Sequence, residues 1–187
     1  MSSIKGKLIK ILNEKAFQYN EKPIFKLVSG MMSNYYVDCK MVTMDPMGMF
    51  IVGNVVNEII ERYMVDAVGG LTFGADPIAM ATAYASNLYG KRIKAFSIRK
   101  ELKNHGIKKW IEGNVKEGDK VCIVEDVATT GNSAIRAINK AREEGLIVEV
   151  VVVLVDTHRG GMESIKEIVE NVYSVVTITD LIEARGE

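Results

Sequence analysis

Five short apolar runs, at residues 67–71, 93–98, 121–124, 147–155 and 172–178, are separated by polar turns and helix-patterned stretches. Apolar residues predominate in them without strict alternation, interrupted only at Lys94, Ser97, Glu149, Ser174 and Thr177, which is the pattern of strands buried on both faces. Helical spacing over 77–87, 133–144 and 162–170 falls between them, so successive strands are joined by crossovers and run parallel. Ile4, Leu8, Ile11 and Leu12 mark a further amphipathic helix reaching about Phe17. Pro46, with Asp45 as candidate N-cap, opens another. The expectation is an α/β fold, a central mostly parallel sheet flanked by helices. With 187 residues, no internal repeat and no Pro/Gly-rich linker, residues 1–187 read as a single domain.

Lys and Arg total 24, as do Asp and Glu. A net charge of zero argues against a chain that lives on nucleic acid or an anionic membrane by bulk electrostatics. It leaves room for a local basic site. Cys39 and Cys122 form no CxxC pair and sit in apolar or strand-like surroundings, so two reduced, partly buried thiols in a cytoplasmic protein are expected. No stretch approaches ~18 uninterrupted apolar residues, so nothing spans a membrane.

Two segments break the strand–helix rhythm. Residues 23–44 are extended and aromatic, making 1–44 an N-terminal helix plus a hood over the sheet. Residues 99–119 are polar and glycine-punctuated, and a long irregular connection in a compact domain reads as a functional lid. Ligands of such sheets bind beyond the carboxyl ends of the strands, here after residues 71, 98, 124 and 155.

Residues 121–124 run directly into Glu125-Asp126-Val127-Ala128-Thr129-Thr130-Gly131-Asn132-Ser133. Adjacent carboxylates at a strand tip repel, so they call for a cationic or hydroxyl-rich partner. The turn behind them offers hydroxyls and backbone N–H groups at a helix N-terminus, an anion site. Together they suit a sugar phosphate, with carboxylates on ribose hydroxyls and N–H groups on the 5′-phosphate. The plainer alternative is a turn capped by Asn132 or Ser133. Neither GxxxxGK[ST] nor GxGxxG occurs. Arg99, Lys100, Lys103 and His105 concentrate positive charge in the lid, which suits either an anion that the loop closes over or a solvated basic loop.

The segment 125–133 resembles the phosphoribosyl-pyrophosphate (PRPP) motif of type I phosphoribosyltransferases. Phe25-Lys26-Leu27-Val28-Ser29-Gly30 followed by Ser33-Asn34-Tyr35-Tyr36-Val37-Asp38 resembles the N-terminal signature of the orotate phosphoribosyltransferase family. Gly74-Ala75-Asp76-Pro77-Ile78-Ala79 resembles its pyrophosphate-side loop. Arg99 to Gly106, then Ile111-Glu112-Gly113, is similar to its flexible catalytic loop. The resemblance implies the type I phosphoribosyltransferase fold. It also implies transfer of phosphoribose from PRPP to orotate, giving orotidine 5′-monophosphate and pyrophosphate in pyrimidine (UMP) biosynthesis. Mg²⁺ would be held mainly through PRPP and water, and no covalent nucleophile is expected.

On this reading Lys100, Lys103, His105 and Asp126 are catalytic. Arg99, Lys100, Lys103, His105 and residues 125–133 bind PRPP, while Lys26, Tyr35, Tyr36, Thr129 and Arg159 bind orotate. Family members are homodimers whose lid reaches the neighbouring site, so the same is expected here.

Three positions depart from the family. Met31-Met32 replaces a basic residue after Ser29-Gly30, and Thr72-Phe73-Gly74 lacks a frequent lysine. Asp156 is followed by Thr157-His158-Arg159, where the family places an orotate-binding arginine directly after the aspartate. Other readings are a phosphoribosyltransferase for a purine or uracil, or a PRPP-sensing regulator without catalysis. The six methionines between residues 31 and 49 read as adaptable packing.

Overall fold

The structure is a computed structural model that describes residues 3–26, 30, 32–102 and 109–186. Ser3 caps α1 (Ile4–Lys15), its hydroxyl accepting from Gly6 N. The chain then forms a hood of short strands, β1 (Phe17–Tyr19), β2 (Phe25–Lys26), β3 (Met32–Ser33) and β4 (Tyr35–Val37). Within it β1 pairs antiparallel with β4, and β2 with β3, so that Phe25 lies opposite Ser33. A single turn, α2 (Lys40–Thr43), leads into α3 (Pro46–Ile60), where Asp45 accepts from Met47 N and Gly48 N as the expected N-cap.

The sheet follows as β5 (Ala67–Leu71), α4 (Ala75–Leu88), β6 (Lys94–Ile98), β7 (Ile111–Gly113), β8 (Lys120–Ala128), α5 (Asn132–Glu143), β9 (Ile147–Asp156), α6 (Gly161–Lys166), β10 (Val172–Thr177) and α7 (Ile178–Glu183). Its order is β10-β9-β8-β5-β6-β7, parallel throughout except for β7 on β6. Strand alternation sends Val68, Cys122, Val124, Val150 and Val152 into one core with α1, α3, α4 and α7. It sends Ala67, Val121, Ile123, Val151 and Val153 into a second core with α5 and α6. Both faces are therefore buried, which is why the strands read as continuous apolar runs. Helix α5 meets its face through Ala134, Ala137, Ile138 and Ala141, an apolar stripe at i, i+3, i+4 and i+7.

The structure differs from the sequence expectations at four places. Strand β8 does not stop at Val124; pairing with β9 carries it on to Ala128, opposite Asp156. Ladder hydrogen bonding overrides the poor strand propensity of two acidic residues there. The stretch 99–119 is not one irregular loop, because β7 pairs antiparallel with β6 through Phe96–Gly113 to Ile98–Ile111. The lid is thereby narrowed to the connection between Ile98 and Ile111. Helix α7, held by a reciprocal capping box between Thr177 and Asp180, follows β10 without a sequence expectation. Finally, the described methionines of 31–49 do not fill the core: Met41, Met44 and Met47 are each more than half exposed.

Cys39 and Cys122 are free and fully buried, and burial raises both thiols well above their ordinary range. Among the described residues no helix is long and apolar enough to cross a membrane.

Candidate active site

Strand order reverses between β5 and β8, since β5 continues to β6 on one side and β8 to β9 on the other. A crevice opens at such a point beyond the strand carboxyl ends. Here it is a cavity of about 490 Å³. Lys26 and the β4 residues Tyr35, Tyr36 and Val37 line it from the hood. Glu125, Val127 and residues 129–134 line it from β8 and α5, with Thr157 and Arg159 from beyond β9.

The phosphate side is built from backbone. Gly131 is the N-cap of α5, with φ 79° and no side-chain cap. The Asn132 or Ser133 cap that the plainer reading required is not formed, and the first-turn amides of α5 are left to a ligand. A Cβ on Gly131 would fall 2.7 Å from Gly161 O, and one on Gly161 would fall 2.8 Å from Thr129 O. Positive φ and close packing both require glycine at position 131.

Consecutive strand residues face opposite ways, yet the carboxyls of Glu125 and Asp126 stay close enough to interact by charge and by a side-chain hydrogen bond. Glu125 faces the cavity, only 7% exposed, and its Oε2 has no hydrogen-bond partner among the described residues. Burial pushes its carboxyl up to about 9, the charge of Asp126 adds to the rise, and Lys100 opposes it. At neutral pH the side chain is therefore a protonated acid that can both donate and accept. Asp126 lies against the loop after β5, where a Cβ on Gly74 would come 2.7 Å from its Cγ. Ala128 is buried, and its carbonyl accepts from Thr157 N at 3.1 Å and Thr157 Oγ1 at 2.9 Å.

The hood side supplies cations and aromatic rings. Tyr36 stacks on Phe25 with centroids 6.2 Å apart. Arg159 lies over the Tyr35 ring and donates to Tyr35 Oη and Ser33 Oγ. The lid residues are distributed differently. Arg99 is in the β6–β7 stem, paired with Glu112 at 2.7 Å. Lys100 is exposed, and its carbonyl accepts from Arg136 on α5. Lys103 and His105 lie outside the described residues. In the sequence, Ser33 stands out only as part of the 33–38 signature. Its two-residue spacing from Tyr35 in an extended segment was the available sign that both could face one partner.

No family model matches the chain. The chain is 42% identical over 176 residues to the orotate phosphoribosyltransferase of Aquifex aeolicus, covering 94% of this chain and 96% of that protein. This chain belongs to the orotate phosphoribosyltransferase family. The Nostoc orotate phosphoribosyltransferase is 40% identical over 182 residues, covering 97% of this chain and 86% of the other. Among solved structures, the Mycobacterium tuberculosis orotate phosphoribosyltransferase in complex with PRPP superposes with a TM-score of 0.77 at 30% identity, covering 97% of this chain and 93% of that one. A Corynebacterium diphtheriae phosphoribosyltransferase superposes with a TM-score of 0.82 at 32% identity, covering 96% and 99%. The fold is thus the type I phosphoribosyltransferase fold expected from the sequence. Within this orotate phosphoribosyltransferase fold, Thr157 turns its hydroxyl to Ala128, and Arg159 is the arginine that lines the cavity.

Proposed function

We propose that this protein transfers the 5-phosphoribosyl group of PRPP to orotate, forming orotidine 5′-monophosphate and pyrophosphate for pyrimidine biosynthesis in the cytoplasm. The observation that carries the reading is one cavity joining an uncapped helix N-terminus, a buried acid and an arginine without a carboxylate partner among the described residues. The first matches a 5′-phosphate, the second ribose hydroxyls, and the third an anionic base.

In this reading the amides and hydroxyls of residues 129–133 hold the 5′-phosphate. Glu125 and Asp126 hold the ribose as positive charge develops at its anomeric carbon, the oxocarbenium character that glycoside chemistry also shows. Lys26, Tyr35, Tyr36, Thr129 and Arg159 surround the base. Lys100, with Lys103 and His105 by resemblance and Arg99 at the stem, meets the departing pyrophosphate. No covalent nucleophile is needed.

Among the described residues no three His, Cys, Asp or Glu side chains converge on a metal position. With Glu125 held protonated, the acids would offer Mg²⁺ little direct coordination, which fits an ion carried largely by substrate oxygens and water rather than by a protein cage. Bound that way, Mg²⁺ supplies positive charge to the pyrophosphate.

A homodimer with a shared lid belongs to the same proposal. Met41 on α2, Met44 just past its end, Met47 and Phe50 on α3, and Met80 and Tyr84 on α4 are all more than half exposed. Contiguous apolar surface of this kind marks an association face, here assigned to a second copy; sedimentation as a monomer would reject that.

The deciding assay measures pyrophosphate release from PRPP and Mg²⁺ with orotate, uracil, adenine or hypoxanthine as acceptor. Turnover with orotate is expected. Turnover only with another base, or PRPP binding without turnover, overturns the assignment.

A further inference from the structure

The position of Arg159 is set from two sides. His158, immediately before it, has a φ of 53°, a left-handed conformation uncommon among non-glycine residues, though histidine is one of the types that adopt it more readily. Asp156 stabilises that turn, accepting from His158 N at 2.9 Å and lying 3.3 Å from its Nδ1. The chain then presents Arg159 to the hood. Its guanidinium carbon sits 4.9 Å from the Tyr35 ring centroid. Its Nε donates to Tyr35 Oη at 3.0 Å, and its Nη2 donates to Ser33 Oγ at 2.8 Å.

Both acceptors are themselves fixed. Tyr35 Oη donates onward to the Thr157 carbonyl at 3.0 Å. Ser33 is 2% exposed, and its Oγ also accepts from Tyr35 N at 3.2 Å. Of the five N–H groups of an arginine, three are left without a partner among the described residues, on a side chain that lines the cavity. A planar fork held in advance loses less rotamer entropy when a carboxylate arrives, and it favours a bidentate geometry.

We propose that Ser33 and Tyr35 are positioning residues for base selection: acting from the hood through Arg159, they hold a guanidinium ready for the carboxylate of the acceptor base. The inference rests on the reading that Arg159 meets that carboxylate. It adds that selectivity is built by hood residues over a hundred positions away in sequence.

The test measures KM for orotate and for PRPP separately, with uracil as the acceptor lacking a carboxylate. Ser33→Ala removes one anchor; KM for orotate rises roughly tenfold, as for a lost hydrogen bond to a charged group. KM for PRPP stays within about twofold, and the preference for orotate over uracil falls. Ser33→Thr keeps a hydroxyl and restores the orotate KM, whereas general damage to the hood raises both KM values without rescue. Tyr35→Phe removes the second anchor and carries the same test should Ser33→Ala fail to fold. Arg159→Ala separates the two levels. If it leaves the orotate KM unchanged, the carboxylate reading of Arg159 is wrong, and this inference fails with it. If Arg159→Ala raises that KM but neither Ser33→Ala nor Tyr35→Phe does, the positioning role alone is overturned.

Discussion

The two ends of the cavity are built by opposite means. The phosphate end comes from one contiguous stretch, residues 125–133, shaped by backbone: a strand that runs to Ala128, a left-handed Gly131 and an uncapped helix. The base end is assembled from side chains 124 to 126 positions apart, in Arg159 against Tyr35 and Ser33. On the proposed reading the first would serve any ribose phosphate, because it offers backbone amides, hydroxyls and carboxyls only. The second holds the groups that could tell one base from another. Chemistry common to a reaction class sits in local backbone, and choice of substrate sits in long-range side-chain contacts.

The largest expected effect lies on the contiguous end. Asp126→Asn should lower kcat/KM with orotate by at least about a hundredfold, the scale of losing one preorganised electrostatic contact to a developing charge. Thermal unfolding should move little. A loss smaller than that of Arg159→Ala would reverse the division of labour between the two ends.

Glu125 gives the next largest effect, read as pH dependence of stability. Its carboxyl titrates near 4.5 in the ordinary case and near 9 here. Between those values the folded state binds more protons than the unfolded, so stability falls as pH rises, by up to about 1.4 kcal/mol per pH unit. Above about pH 9 the contribution levels off. Glu125→Gln should flatten the difference in denaturant midpoint between pH 6 and pH 8. An unchanged slope would mean that Glu125 is already ionised in the folded protein.

The contrast between the ends also explains what could be read in the sequence. Parallel strands were legible because burial on both faces leaves runs such as Val121 to Val124 without polar interruption. The phosphate turn was legible because the acids, threonines and Gly131 are neighbours in the chain. The end of β8 was not, since it depends on Ala128 pairing with Asp156 in another strand. Nor was β7, three residues whose strand pairing comes from β6. The different settings of Glu125, which lines the cavity, and Asp126, which lies against the loop after β5, follow from strand geometry, but only once the strand is known to continue past Val124. Arg159 could be nominated from the family resemblance, yet its tether to Ser33 depends on the turn at His158 and on hood residues more than a hundred positions away.

Gly131→Ala tests the backbone end with a smaller perturbation. A methyl there meets Gly161 O at 2.7 Å in a backbone conformation with φ 79°. The expected result is a loss of about 1–3 kcal/mol in stability together with roughly a tenfold rise in KM for PRPP. The orotate KM should move less. Equal rises in both would show that the two ends are mechanically joined through α6, whose first residue is Gly161.

Thr157→Val probes the seam between the ends and should have the smallest effect. The Thr157 hydroxyl donates to Ala128 O at 2.9 Å, an acceptor that Thr157 N also reaches at 3.1 Å. Removing the hydroxyl leaves the backbone bond and a side chain of similar volume. One neutral hydrogen bond is worth about 1 kcal/mol, so unfolding should shift by no more than that, with the orotate KM within about twofold. A much larger KM change would mean that Thr157 itself touches the base, and the distinction between a backbone-built seam and a side-chain-built base pocket would fall at this residue.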